Sequence, residues 1–386
     1  MKKIVIITYH RAVNNGAVLQ ALGLVQHLRD LFPGFEVKIF DYRHPRMELM
    51  ELFKIFKINF KKPLFALRRL LVFRSFQRKL PLVRPFVSGK FDQKMIDNIN
   101  KQKFQVIFAG SDSIWKFADD LFLPPIPNIY WLSPDIKAKK ISYAASAYQY
   151  QEKLLPKYKN KLLNSINDFD LVSVRDSETR NLLKKIGYKK SIYQIPDPAF
   201  FYRIKNTGVR DKLIQLGLDT KKPLFALITC YRDNKIKEIT NYFKNCNYQV
   251  VALSIYNPLA DINLGDELNP AEWAEVFKYF DFCLTDRFHG AIFCIKNRTP
   301  FVAIETKKGK IEKSKKYQLL ADFDLVQECY LNLYDQKQNI SFFDKYEKIK
   351  NNWHRSIVPK IGKQLKRISE ISNDFDDKII KVADES

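Results

Sequence analysis

Long apolar runs, acidic charge and paired cysteines are scarce in this sequence, and each shortage removes a class of protein. No stretch reaches the roughly 18 consecutive apolar residues that a membrane-spanning helix needs. The apolar run KIVIITYH at the N-terminus breaks off too early for a signal-peptide core, so it reads as a buried first strand. The expectation is a cytoplasmic protein, with attachment to the inner face of the membrane left open. The five cysteines, Cys230, Cys246, Cys283, Cys294 and Cys329, are odd in number and include no C-x-x-C pair. That spacing suggests neither a disulfide framework nor a zinc site. His10, His27, His44 and His354 show no metal-ligand spacing either, so no metal and no cofactor are expected. There is no G-x-G-x-x-G fingerprint, no P-loop and no G-x-S-x-G elbow, which argues against dinucleotide, Walker-type nucleotide and serine-hydrolase chemistry. Against 42 acidic residues stand 66 basic ones, a net charge of +24. Such a field favours anionic partners, whether nucleic acid, phosphorylated metabolites or a membrane surface, without choosing among them.

What is present is a repeated α/β pattern. A chain of 386 residues exceeds the size at which one core keeps growing, so two domains are expected. Strand-like segments at 3–10, 35–42, 105–111, 140–146, 171–176 and 191–198 alternate with helical ones, the first running from about Ala17 to Phe32 and stopped by Pro33 and Gly34. A polar stretch, Arg203–Lys221, reads as a linker, after which strands recur at 223–230, 249–255, 282–288 and 300–305. This alternation predicts two Rossmann-like domains with mostly parallel sheets and ligands in a cleft between them, at the carboxyl ends of the strands. The expected boundaries are 1–202, with a basic helical insert at about 46–100, then 203–341, then a helical tail at 342–386 that packs back on the first domain.

The insert breaks the rhythm. From Lys54 to Lys90 there are eleven Lys or Arg and no acidic residue, with phenylalanines interleaved. It reads either as an amphipathic arm packing its phenylalanines on the core or as a docking surface for anionic lipid. No nucleic-acid partner is expected, because no reading module for DNA or RNA accompanies it.

Four motifs carry potential chemistry. At the first strand-to-helix junction Asn14, Asn15 and Gly16 form either a helix cap or an anion site built from backbone N–H groups. After the strand at 105–111, Ser111, Asp112 and Trp115 combine hydrogen-bonding groups with an aromatic plane, which suits a sugar, or else form an Asx-type turn. Arg175 ends another strand, placed either to grip a carboxylate or phosphate or to pair with an aspartate. The most informative motif is TDRFHGAIFCI, 285–295, where Asp286, Arg287, His289 and Gly290 interrupt a run that is otherwise apolar. Ionisable groups there are costly unless they satisfy one another or face a site. Histidine titrates near neutrality and can transfer a proton.

Taken in order, NNGAVLQA, AGSDSIW, ISYAAS, SVRDSET, DPAF and TDRFHGAIFCI resemble the landmarks of the polysaccharide pyruvyl transferase family, over roughly residues 3–330. The basic insert and the tail lie outside the resemblance. It implies an architecture similar to the glycosyltransferase-B fold and transfer of an enolpyruvyl unit from phosphoenolpyruvate to a sugar of a surface-polysaccharide precursor. The product it implies is a cyclic pyruvate ketal, with a lipid-linked or nucleotide-linked saccharide as acceptor. On that basis Arg287 and His289 are the expected catalytic pair, with Asn14, Asn15, Gly16, Arg175 and Lys315 as donor contacts and Ser111, Asp112 and Trp115 as acceptor contacts. Lys315 stands where the family often has an arginine, which keeps the charge and loses the bidentate fork. Two alternatives remain: a sugar-nucleotide glycosyltransferase on the same fold, and a non-catalytic binder of anions or nucleic acid.

Overall fold

The computed structural model describes residues 2–120, 123–126, 128–305, 314–333 and 341–385. The chain divides into two compact units: residues 1–54, 77–203 and 368–386 form the first, and 55–76 with 204–367 the second.

The first unit is built on seven parallel strands: β1 (Lys2–Ile7), β2 (Phe35–Arg43), β3 (Leu82–Ser88), β4 (Val106–Asp112), β5 (Lys139–Ala145), β6 (Leu171–Val174) and β7 (Tyr193–Gln194). Their order, β3-β2-β1-β4-β5-β6-β7, reverses direction between β1 and β4, which makes that junction the switch point of the sheet. The central strands are buried on both faces and therefore read as continuous apolar runs; Ile4 to Ile7 and Val106 to Ala109 are all at most 1% exposed. The helix after β1, Asn15–Leu31, starts where Asn14 accepts hydrogen bonds from the Gly16 and Ala17 amides, an Asn N-cap. A Cβ on Gly23 in this helix would lie 2.1 Å from the Pro198 carbonyl oxygen, so the helix packs directly on the backbone of the DPAF segment.

The second unit has six parallel strands: β8 (Leu224–Ile228), β9 (Gln249–Ala252), β10 (Ile262–Asn263), β11 (Phe282–Thr285), β12 (Phe301–Glu305) and β13 (Tyr330–Asn332). The order β10-β9-β8-β11-β12-β13 repeats the topology of the first sheet, with its switch point between β8 and β11. Phe225 stacks on Phe243 at 3.8 Å between ring centroids, and Phe282 lies against both, filling one face of the sheet.

Three strands escape the sequence pattern. β10 and β13 are two and three residues long, too short for periodicity to register. β3 lies within the segment expected to be a helical insert, and it carries Pro85, tolerable because β3 is an edge strand. The insert itself requires correction. Its central part, residues 55–76, belongs to the second unit rather than the first. The reason is specific: on the helix Pro63–Arg78, buried Arg69 donates to the carbonyls of Ser254 and Gly265, and Phe65 packs on the Tyr256 ring at 5.8 Å. The expected tail also divides. Residues 342–367 fall in the second unit and 368–386 in the first, where Asp376 accepts from His27 at 2.9 Å and Phe375 packs on Tyr143. No helix among the described residues is long and apolar enough to cross a membrane.

Gly23→Ala should lower unfolding free energy by about 1–3 kcal/mol, because the methyl group meets backbone rather than a yielding side chain. Gly34→Ala, where nothing lies within 4 Å, serves as the control and should change little. Urea unfolding of both variants measures the difference; equal midpoints would show that the Pro198 segment moves aside freely.

Candidate functional site

In the second unit the switch point carries the charge. β8 and β11 pair in register, with Thr285 opposite Ile228. Immediately beyond them the Asp286 amide donates to the Ile228 carbonyl at 3.2 Å. The Asp286 carboxylate then accepts from the Thr229 hydroxyl (3.0 Å), the Cys230 amide (3.3 Å) and the Cys230 thiol (3.4 Å). One carboxylate thus ties the ends of both central strands together. Burial, reinforced by the Asp286 charge, pushes the Cys230 thiol above its ordinary range, consistent with a protonated donor.

The same carboxylate orients Arg287, whose Nε lies 3.0 Å from Asp286 Oδ1. The Arg287 guanidinium nevertheless remains 45% exposed, so it is aimed by the pair without being buried in it. Arg287 is also the N-cap residue of the helix Phe288–Asn297, and its backbone N–H donates a hydrogen bond to Thr285 Oγ1 at 3.0 Å. His289 follows in the first turn, half-buried, with its ring 5.2 Å from that of Phe288. Gly290 is required by close packing: a Cβ there would sit 2.2 Å from Thr285 Oγ1. A guanidinium, an imidazole and the amino end of a helix thus follow one another directly beyond the carboxyl ends of β8 and β11, a combination suited to an anion and a proton transfer.

A third strand adds a cation that the sequence reading did not single out. Lys316 Nζ donates to the Asp286 carbonyl at 3.1 Å and pairs with Glu305, the last residue of β12, at 3.2 Å. Glu305 also accepts from the Ser314 hydroxyl at 2.7 Å. Lys315, expected as a donor contact, opens the helix Lys315–Asp322 directly before Lys316.

In the first unit Asn14, Asn15 and Gly16 follow β1 and Ser111 and Asp112 end β4, the two strands of its switch point, while Arg175 stands just past β6. Asn14 fills its side chain with the helix cap. Asn15 differs: it is 5% exposed, and its Oδ1 has no hydrogen-bond partner among the described residues. Ser111 is buried, donating its hydroxyl to the Ala144 carbonyl at 2.9 Å, while its own carbonyl accepts from Thr8 at 3.2 Å. Asp112 accepts from the Ser113 amide at 2.7 Å. Arg175 pairs with Asp197 at 2.6 Å and lies 3.7 Å from Asp112. Burial works against its charge, and Asp197, Asp112 and Asp176 outweigh that and hold its pKa above the ordinary value. Trp115 requires correction as a sugar contact. It is fully buried, stacked on Trp131 at 4.8 Å, and its indole N–H donates to the Tyr130 carbonyl at 2.8 Å, so its plane belongs to the core.

The remaining landmarks explain their own composition. Ser142 and Ser173 exchange hydrogen bonds across β5 and β6, with the Ser142 hydroxyl donating to the Ser173 carbonyl and the Ser173 hydroxyl to that of Ser142. Ser146 donates to Asp176 at 2.6 Å, and Asp176 in turn caps the helix Ser177–Ile186. Among the described residues no group of three His, Cys, Asp or Glu is arranged to hold a metal ion.

A sequence model of the polysaccharide pyruvyl transferase family matches residues 14–308, and the chain belongs to that family. The match begins at Asn14 and takes in the Asp286–Gly290 cluster, while Ser314 and Lys316 lie beyond it. No curated protein sequence matches the chain. Among solved structures, one from Listeria monocytogenes assigned as a UDP-N-acetylglucosamine 2-epimerase is similar at 11% identity and a TM-score of 0.54, covering 95% of each chain. The UDP-GlcNAc 2-epimerase of Methanocaldococcus jannaschii matches at 14% identity and 0.50, over 97% of this chain and 99% of its own. Sucrose-phosphate synthase of Thermosynechococcus elongatus matches at 13% and 0.50, over all of both chains. At these identities the likeness is one of fold: two parallel-sheet α/β domains of the glycosyltransferase-B kind.

Gly290→Ala should cost about 1–3 kcal/mol of stability through the clash with Thr285. Removing that partner in a Thr285→Ala, Gly290→Ala double variant should recover part of the loss. A double-mutant cycle by urea unfolding measures the coupling, and strict additivity would show that the two residues do not meet as described.

Proposed function

We propose that the protein transfers the enolpyruvyl unit of phosphoenolpyruvate to a saccharide of a polysaccharide precursor, forming a cyclic pyruvate ketal and releasing phosphate. The observation that carries the reading is the pairing of Asp286-oriented Arg287 with His289 at the first turn of a helix, on a chain of this family. Phosphoenolpyruvate is a small, densely anionic donor, and it calls for a guanidinium, an ammonium and helix amides rather than an apolar pocket.

The chemistry divides into two steps. Protonation of the donor's methylene carbon turns it into a methyl group and leaves the adjacent carbon electron-poor; a sugar hydroxyl attacks that carbon and gives up its proton. The carbon–oxygen bond to phosphate then breaks, a second hydroxyl of the same saccharide takes the vacated position, and its proton leaves with the phosphate. In this reading His289 carries protons to and from the reacting carbon and hydroxyl, and Arg287 stabilises charge on the carboxylate or the departing phosphate. Lys316 adds a second cation beside the Asp286 carbonyl, with Glu305 fixing its position. The reaction balances with donor and acceptor alone.

Incubation with phosphoenolpyruvate and a panel of lipid-linked and nucleotide-linked saccharides should release phosphate and raise the acceptor mass by one pyruvyl unit. Transfer from sugar nucleotides in place of phosphoenolpyruvate would replace this reading with glycosyl transfer. His289→Ala should lower kcat on the order of 10²–10⁴. Lys316→Ala should raise KM for phosphoenolpyruvate more than Lys315→Ala does; the reverse order in steady-state kinetics would return the role to Lys315.

A further inference from the structure

The basic segment presents an apolar stripe to solvent, against the usual rule for a surface helix. Among the described residues, nine of the twelve exposed large hydrophobic side chains lie between Leu49 and Leu71. On the helix Pro45–Ile58, Leu49, Phe53 and Phe56 fall on one face at helical spacing and are 59%, 55% and 39% exposed. Within the second unit, Leu64, Leu67 and Leu71 form an exposed stripe on the helix Pro63–Arg78, with Phe60, 71% exposed, in the turn before it and Phe56 preceding that turn. The core-facing side of the second helix is occupied by other residues, Phe65, Ala66, Arg69 and Phe73, so the exposed leucines are surplus to packing. Clustered exposure of this kind marks an interaction surface rather than scattered surface leucines.

Glu48 and Glu51 lie on the first helix beside Leu49 and Phe53, but along the part of the stripe from Phe56 to Leu71 every charged residue is basic. Lys54, Lys57, Lys61 and Lys62 are exposed, and no acidic residue occurs from Lys54 to Lys90. Lys61 and Lys62 flank the turn, Lys61 Nζ lying 5.7 Å from the Phe60 ring centroid and Lys62 Nζ 5.1 Å from that of Tyr256. Long lysine stems beside exposed Leu and Phe fit a bilayer interface, with apolar side chains in the acyl boundary and ammonium groups among phosphates. A second copy of the chain fits worse, since a symmetric contact would set these lysines against one another. A nucleic acid would meet the cations and leave the aliphatic stripe without a partner.

The site of attachment has a consequence. Arg69 anchors this helix to the Ser254 and Gly265 carbonyls, just past the carboxyl ends of β9 and β10, and Asn59 accepts from the Tyr256 amide at 3.2 Å. In an all-parallel sheet every carboxyl end lies at one edge, and that edge also carries Arg287 and His289. We infer that the stripe from Phe56 to Leu71 docks the second unit on an anionic lipid surface, bringing its chemical edge to the headgroups, where an acceptor on a lipid carrier is presented. The attachment itself does not depend on the donor assigned above.

The test is flotation of the full chain with phosphatidylcholine vesicles, with and without phosphatidylglycerol. Binding should require phosphatidylglycerol and weaken as salt is raised. Lys57→Glu and Lys61→Glu should each weaken partitioning by about fivefold or more, a contribution on the order of 1 kcal/mol per basic residue. The double variant Leu64→Ser, Leu71→Ser should lose binding, while Ile214→Ser, an exposed apolar residue elsewhere in the second unit, should retain it. Circular dichroism confirms that each variant is folded. Equal flotation on both vesicle types, no flotation, or variants that bind as the parent does would overturn the proposal. So would a dimer in vesicle-free sedimentation that Leu64→Ser, Leu71→Ser dissolves, since the stripe would then be covered by a second copy. Phosphate release from phosphoenolpyruvate with a carrier-free saccharide is measured separately, so a failure of docking and a failure of the donor assignment give different results.

Discussion

The carboxylate of Asp286 is the constraint from which the second unit's chemistry follows. It sits where two parallel strands end side by side and backbone groups would otherwise diverge. By accepting from Thr229 and Cys230 it locks the end of β8 to that of β11, and through its other oxygen it aims Arg287. The helix that begins at Phe288 can then start at a fixed angle, which sets where His289 stands. Thr285 completes the arrangement by bonding the Arg287 amide and by demanding glycine at position 290. A buried carboxylate is tolerable because its partners include hydroxyl, amide, thiol and guanidinium donors.

The first unit repeats the same topology with a different set of residues at its strand ends. Its switch point is dense in Ser, Asp and Arg, but these groups mostly satisfy one another: Ser111 with Ala144, Ser146 with Asp176, Arg175 with Asp197. Such networks hold closely spaced parallel strands in register. Asn15 is the contrast, with a buried oxygen that has no partner among the described residues, directly behind the cap formed by Asn14. Family landmarks in one chain can therefore record two things, the geometry of the fold and the chemistry of the site, and composition alone does not separate them.

Much of the fold was legible because period and length carry it. Apolar runs of four to eight residues between helical segments gave most of the strands of both sheets, since strands buried on both faces must be apolar throughout. The short strands β10 and β13 and the proline-bearing β3 were not legible, because sheet pairing rather than local pattern makes them strands. The Asp286–Gly290 cluster was visible because ionisable residues inside an apolar run need a reason. Trp115 misled because a tryptophan beside serines and an aspartate looks the same in sequence whether its indole stacks on a sugar or on Trp131.

By itself, then, the sequence determined two α/β units, the family, and Arg287 with His289 as the residues to watch, all through local spacing and order. Tertiary structure alone decided that Lys316 meets the Asp286 carbonyl, since a partner so far away in sequence is set by packing and not by local pattern. It alone decided that residues 55–76 join the second unit, through the buried bonds of Arg69. And it alone showed that Phe56, Phe60, Leu64, Leu67 and Leu71 of the basic segment face outward while Phe65 and Phe73 face the core, because hydrophobicity can be read from a sequence and the direction of a side chain depends on what the rest of the chain packs against it.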